Sequence, residues 1–317
     1  MNVPRTTRWG LGLALAAGCI SGLSIFLNGL MVKSFPDPTL LAGVRNGMVG
    51  LLFLTMLVVF AARASRGARS GAPAPAARPL GRREVTGLIV LGVVGGGIAF
   101  ALFFEGLALA ASPSSAVLQK TLFLWVAIAA WPLLGERPGA ASLVALAVLL
   151  AGTLLLDPPA GTGIGVGELL ILAATLLWTG ETILARRLLP QVGAGRGAAA
   201  RMTIGSIVLL GIVVWGGGLS GIGAWTPTMW GFVALTAVLL AGYVAAWYGA
   251  LERAPAAVVT SILVVGAVIT ATLRALTGGV VPTDQRLAGL LLLAAGAGVV
   301  AIVSLRRSAR TVIASDA

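Results

Sequence analysis

An all-α polytopic membrane protein, with ten transmembrane helices arranged as two inverted five-helix repeats, is the fold this sequence predicts. Three observations carry the prediction. The first is composition: 58% of the 317 residues are hydrophobic and 10% are charged, against about 25% charge in soluble domains. The second is a series of apolar stretches, most of them near the ~20 residues that cross a bilayer. The third is a stretch that occurs twice. Residues 107–138 and 249–282 each place Leu four residues before Pro (Leu109 and Pro113; Leu251 and Pro255). Each then runs apolar to a Gly and a second Pro (Gly135 and Pro138; Gly278 and Pro282).

Helix follows from the solvent. A segment in lipid must satisfy its own backbone hydrogen bonds, and the period-two alternation of a barrel is missing. The first span, 9–32, follows Arg5 and Arg8. Its Ala16-Ala17-Gly18-Cys19 looks like a lipoprotein cleavage site, but the run stays apolar to Val32 and nine more spans follow, so it is read as a helix. Span two, 39–61, carries Gly43, Gly47 and Gly50 at helix-packing spacing. The loop 62–84 is rich in Arg, Ala, Pro and Gly and is read as solvated and flexible. Span three is 85–109. Span four, 114–134, follows Pro113 at a helix start, and Gly135–Pro138 leaves room only for a tight hairpin to the short span five, 139–156. The Gly-rich loop 157–166 lacks G-x-G-x-x-G spacing and a preceding soluble strand. Spans six to ten are 167–185, 198–219, 227–250, 255–276 and 287–305, with a tail at 306–317.

Charge orients the chain. With the amino terminus in the cytoplasm, seventeen arginines fall on that side: Arg5, Arg8, six between Arg63 and Arg83, Arg137, Arg186, Arg187, Arg196, Arg201, Arg253 and three from Arg306 to Arg310. Lys33 and Arg286 alone face the other side. This asymmetry places both termini in the cytoplasm of a cell-membrane protein. The net charge of +12 is therefore a topology signal, and no nucleic-acid partner is expected. His is absent and Cys19 is the single cysteine, so neither an intrachain disulfide nor a Cys/His metal cluster forms. No cofactor is expected.

Ten spans put the midpoint in the loop 157–166, between a first repeat at 1–156 and a second at 167–305. Five is odd, so the repeats enter the membrane from opposite sides, as in secondary transporters that alternate access about a midplane site. Asn28, Lys33 and Pro36 echo Thr182, Arg187 and Pro190 in spacing.

Charges inside the membrane mark the candidate site, since each costs about 2.5–3.5 kcal/mol on insertion scales. They are Arg45, Glu105, Lys120, Glu181 and Arg274. Glu105 and Lys120 sit at matching depth on either side of Pro113. They form a structural ion pair or, with Arg45, Gln119 and Arg274, a polar substrate layer. Arg274 also has the option of snorkelling outward. Glu181 either pairs with Arg186 or faces the path as a proton or substrate group. Asn28 and Thr182 offer neutral hydrogen bonds. Trp178 and Tyr248, with Trp125 and Trp247, line an apolar pocket or pack the core.

The order and spacing of these features resemble the EamA-like family of the drug/metabolite transporter superfamily. The matching residues are Ser115-Ala116 before an apolar helix closing in Leu134-Gly135-Glu136-Arg137, Lys33 ending the first helix, Arg45 in the second, and Trp178 with Arg186-Arg187 in the sixth. The second copy departs from the pattern, because Thr277-Gly278-Gly279 lacks the acidic residue. The resemblance implies export or exchange of small metabolites, often amino acids, driven by gradients and not by ATP. The expected partners are a small-molecule substrate and the bilayer. Proton coupling through a buried Glu and a homodimer are left open. A drug or nucleoside exporter and a non-transporting receptor or assembly protein are the alternatives. A membrane-embedded enzyme is disfavoured by the lack of His and of any intramembrane Asp.

Overall fold

A computed structural model describes residues 5–31, 34–69, 79–109, 118–156, 165–278 and 283–315. The described residues are helical and turn, with no strand among them. In chain order the helices are α1 (Arg5–Met31), α2 (Pro38–Arg69), α3 (residues 82–109), α4 (Leu118–Leu134), α5 (Ala140–Leu156), α6 (Val166–Val192), α7 (Ala194–Trp215), α8 (Pro227–Arg253), α9 (Ala256–Gly278) and α10 (Asp284–Ser315). Eight are long and apolar enough to cross a membrane, while α4 and α5 are shorter apolar helices. The chain is a multi-pass membrane protein. Expectations resting on Lys33, Pro113, Ser115, Ala116, Gly279 and Pro282, and on 157–164, lie outside the described residues.

Several helices start where an acid collects their unpaired N–H groups. Asp37 accepts from Thr39 and Leu40 ahead of α2. Glu84 and Glu168 reach back to the N–H of Gly81 and Gly165 at the starts of α3 and α6. Glu136 caps a helix of the other repeat, accepting from Ala256 and Ala257 at 3.0 and 3.3 Å. Gly135 ends α4 in the left-handed region at φ +70°, the conformation a helix C-cap favours in glycine.

Three helix ends extend well beyond the sequence reading, and one helix is interrupted. Helix α2 runs on to Arg69, α6 continues through Pro190 to Val192, and α10 reaches Ser315, where a tail was expected. The Ala- and Arg-rich flanks of α2 and α10 are good helix formers, and helicity outlasts the apolar run that marks the span. Helix α9 is interrupted at Val264, between Ala256–Leu263 and Val265–Gly278.

The packing is cross-repeat. The first helix of each repeat lies against the third of the other, α1 on α8 and α6 on α3, while α2 pairs with α7 and α5 with α10. Small residues let these backbones approach. Gly43, Gly47 and Gly50 run antiparallel past Leu210, Ser206 and Thr203, and the Ser206 hydroxyl donates to the Gly43 carbonyl at 2.8 Å. The core centres on Val49, Leu189, Met202, Val244 and Tyr248, all at or near zero exposure. Leu51, Val58, Val144 and Val238 are more than 60% exposed, which suits a surface in contact with lipid. One end of the bundle carries Arg186, Arg187 and Arg253 and is called the basic end below.

Candidate functional site

The third helix of the first repeat is not regular. Residues Leu91–Ile98, LGVVGGGI, form a π-helical segment inside α3, and Ala99 N–H reaches five residues back to Val94 O. Wide π turns release carbonyls from the usual ladder and mark functional positions. Here two carbonyls of the segment gather polar side chains from three helices. Gly95 O accepts from Trp178 Nε1 at 3.1 Å and from Arg201 Nη2 at 3.4 Å. Gly96 O accepts from Asn46 Nδ2 at 3.5 Å.

Glu181 of α6 lies against this segment, so close that a Cβ on Gly95 would collide with its carboxylate. Glu181 Oε1 accepts from Arg201 Nε at 2.7 Å and from the Tyr248 hydroxyl at 2.6 Å, and Oε2 accepts from Arg201 Nη2 at 3.3 Å. The Arg201 Cζ sits 5.5 Å from the centroid of Phe100. All three residues are buried, at 4%, 6% and 0% exposure. The forked contact is the strong, charge-assisted kind, and each charge offsets the cost of placing the other away from water. Three helices, α6, α7 and α8, are thereby tied at one carboxylate. Arg201 lies seven residues into α7, about 10 Å from its basic end at ~1.5 Å per residue.

Closer to the basic end the same helices are tied again. Arg186 Nη1 donates to the Leu251 and Glu252 carbonyls that end α8, at 2.9 and 3.1 Å, and its Nε lies 3.6 Å from Glu136. Arg187 donates to the Leu133 carbonyl of α4. Of the two options open for Glu181 in the sequence, pairing with Arg186 is not the one seen: Glu181 pairs with Arg201 instead. Counting Arg201 among the surface topology charges is corrected too: it lies inside the helix bundle.

The remaining candidates fall in different places. Trp178 is buried, with Phe100 and Phe103 each 5.3 Å from its ring. Thr182 is buried and donates to Trp178 O of its own helix. Asn28 is half-buried, donates to Ser24 O and accepts from Arg45 Nη1 at 3.5 Å. Arg45 is 7% exposed and its Nε is enclosed without a partner. Gln119 and Lys120 are half-buried, and Glu105 is exposed. No ion pair joins Glu105 to Lys120 among the described residues. Equal depth on two helices does not fix the direction in which their side chains point. Arg274 is exposed, with Nη2 packed against Gly29. Arg201 is the residue that sequence reasoning missed. The available signal was its register, since Arg45 and Arg201 are each the eighth residue of the second helix of their repeat.

The profile of the EamA-like transporter family matches residues 8–156 and again 165–302. The chain belongs to the EamA-like transporter family. It is therefore a two-repeat membrane transporter of the drug/metabolite type. A solved structure described as "Crystal structure of protein" is similar over 96% of this chain and 99% of its own, with a TM-score of 0.69 and 18% identity. At that identity the likeness speaks to the fold of this EamA-like chain alone. A comparison with curated proteins gives no match.

Proposed function

We propose that the protein is a secondary transporter that exports or exchanges small polar or amphipathic metabolites, amino acids foremost, by alternating access. The observation that carries this reading is the Glu181–Arg201–Tyr248 tie. It binds α6, α7 and α8 at the basic end, yet its counterpart in the first repeat has no acid. In the first repeat, no hydrogen bond or ion pair joins α1 to α3 among the described residues, and Arg45 meets only Asn28. Among the described residues, an ion pair with its Tyr248 hydrogen bond ties the first three helices of the second repeat, and no equivalent pair ties Arg45 in the first. Such asymmetry between otherwise similar halves is what a transporter caught in one of two inverted states would show.

The basic end faces the cytoplasm of the cell membrane on the positive-inside argument, with the two repeats inverted. The state described is then closed to the cytoplasm. Opening requires the carboxylate of Glu181 to release Arg201 and Tyr248. Phe100, Phe103 and Trp178 flank the tie and favour substrates with an apolar part. That wall also suits the second reading, a drug exporter.

Counterflow in proteoliposomes tests the proposal. Protein-dependent uptake of a labelled amino acid, accelerated by unlabelled substrate inside, is expected. Equal uptake with and without protein, across amino acids, nucleosides and cationic dyes, would sink it.

A further inference from the structure

We propose that Arg45 is the docking point for an oxyanion of the substrate, a carboxylate or a phosphate; this rests on the transport reading above. Arg45 and Arg201 occupy matching positions in the two repeats. Each is the eighth residue of its repeat's second helix, each is buried, and each turns back onto the first helix of its own repeat. Because the repeats run in opposite directions, both lie about 10 Å inside the membrane but from opposite ends.

What the two guanidinium groups meet differs. Arg201 meets both oxygens of Glu181. Arg45 meets the side-chain oxygen of Asn28 at 3.5 Å, the limit of a hydrogen bond. Its Nε is enclosed and unpartnered, while its Nη2 has no hydrogen bond and is not enclosed. No carboxylate pairs with it among the described residues. Asp37, at the start of α2, is engaged by the backbone of Thr39 and Leu40. Arg274 Nη2 lies against Gly29 of α1.

A guanidinium held away from water without an anion is costly, and its planar fork fits a carboxylate or phosphate in a bidentate way. The second repeat carries its own anion in Glu181. The first does not, and a diffusing oxyanion completes it. The geometry therefore selects substrates by negative charge. Their neutral analogues lack the group that Arg45 would hold.

Thermal midpoints of the purified chain in nanodiscs test this. The probes are the standard L-amino acids against their amides, and glycerol 3-phosphate against glycerol. At least one oxyanion is expected to raise the midpoint where its neutral partner does not, and the two arms separate carboxylate from phosphate. Arg45→Gln is expected to weaken that binding by about tenfold to a hundredfold, the worth of a charge-assisted hydrogen bond, and Arg45→Lys to weaken it less. Without ligand, Arg45→Gln is expected to be at least as stable as the wild type, because it removes an uncompensated charge. The proposal is overturned if neither oxyanion set binds, if neutral analogues bind equally, or if Arg45→Gln keeps the discrimination. It is also overturned if that variant is clearly destabilised without ligand, since the chain itself would then be partnering Arg45. Binding without counterflow rejects transport and leaves the site standing. Counterflow that Arg45→Gln does not alter rejects the site alone.

Discussion

Glu181→Ala is expected to cost about 3–5 kcal/mol of stability, because it strands Arg201 as an unpaired charge inside the bundle. Ordinary interhelical hydrogen bonds in membrane proteins are worth less, averaging about 0.6 kcal/mol. The larger figure applies here because the partner left behind is ionised and its Nη1 is already enclosed without a hydrogen bond. Arg201→Ala should cost a similar amount by stranding the carboxylate, though Tyr248 still donates to Glu181 at 2.6 Å. The double variant Glu181→Leu with Arg201→Met should recover much of the loss, since it removes both charges. Thermal midpoints in detergent measure all three. If the double variant is stable but fails in counterflow, the pair serves transport. If it transports normally, the pair is scaffold.

Gly96→Ala is the second large effect. Its new methyl would meet the backbone carbonyl of Arg201 and the Cα of Gly205. Backbone cannot swing aside, so α3 and α7 must separate. Overpacking of this kind costs about 1–3 kcal/mol, and separation would also move Arg201 away from Gly95 O. Gly180→Ala provides the contrast. That glycine neighbours Glu181 on the same helix, yet a Cβ there meets nothing within 4 Å. It should gain up to about 1 kcal/mol from helix propensity. Equal midpoints for the two variants would mean that the α3–α7 contact is looser than described.

Helix positions were legible in the sequence because lipid leaves few options: apolar length marks a span and backbone satisfaction makes it a helix. The ends were less legible, as at Arg69 and Ser315, because helicity does not stop where hydrophobicity does. Glu181, Tyr248 and Trp178 could be named from type and depth alone. Their arrangement could not. Arg201 sits near the start of its helix, where a surface arginine and a buried one look the same in sequence. Its equivalence to Arg45 becomes visible only when both helix starts are fixed. The π segment was also hidden, since three consecutive glycines carry no signature that separates a π turn from ordinary helix. Glu136 was noted as part of a motif, but its capping of α9 depends on a cross-repeat contact with no local signature.

On the proposed reading, the Glu181–Arg201–Tyr248 tie closes the path at the basic end while the other end is accessible. Cysteine labelling distinguishes the two ends. Cys19→Ser removes the only native thiol, and Ser24→Cys places one on α1, where Ser24 is half-buried and hydrogen-bonded to Asn28. A membrane-impermeant maleimide should modify Cys at position 24 from the extracellular side in the otherwise native protein. Adding Glu181→Gln should make the same position reactive from the cytoplasmic side. Labelling from the cytoplasmic side alone, with Glu181 intact, would contradict the account.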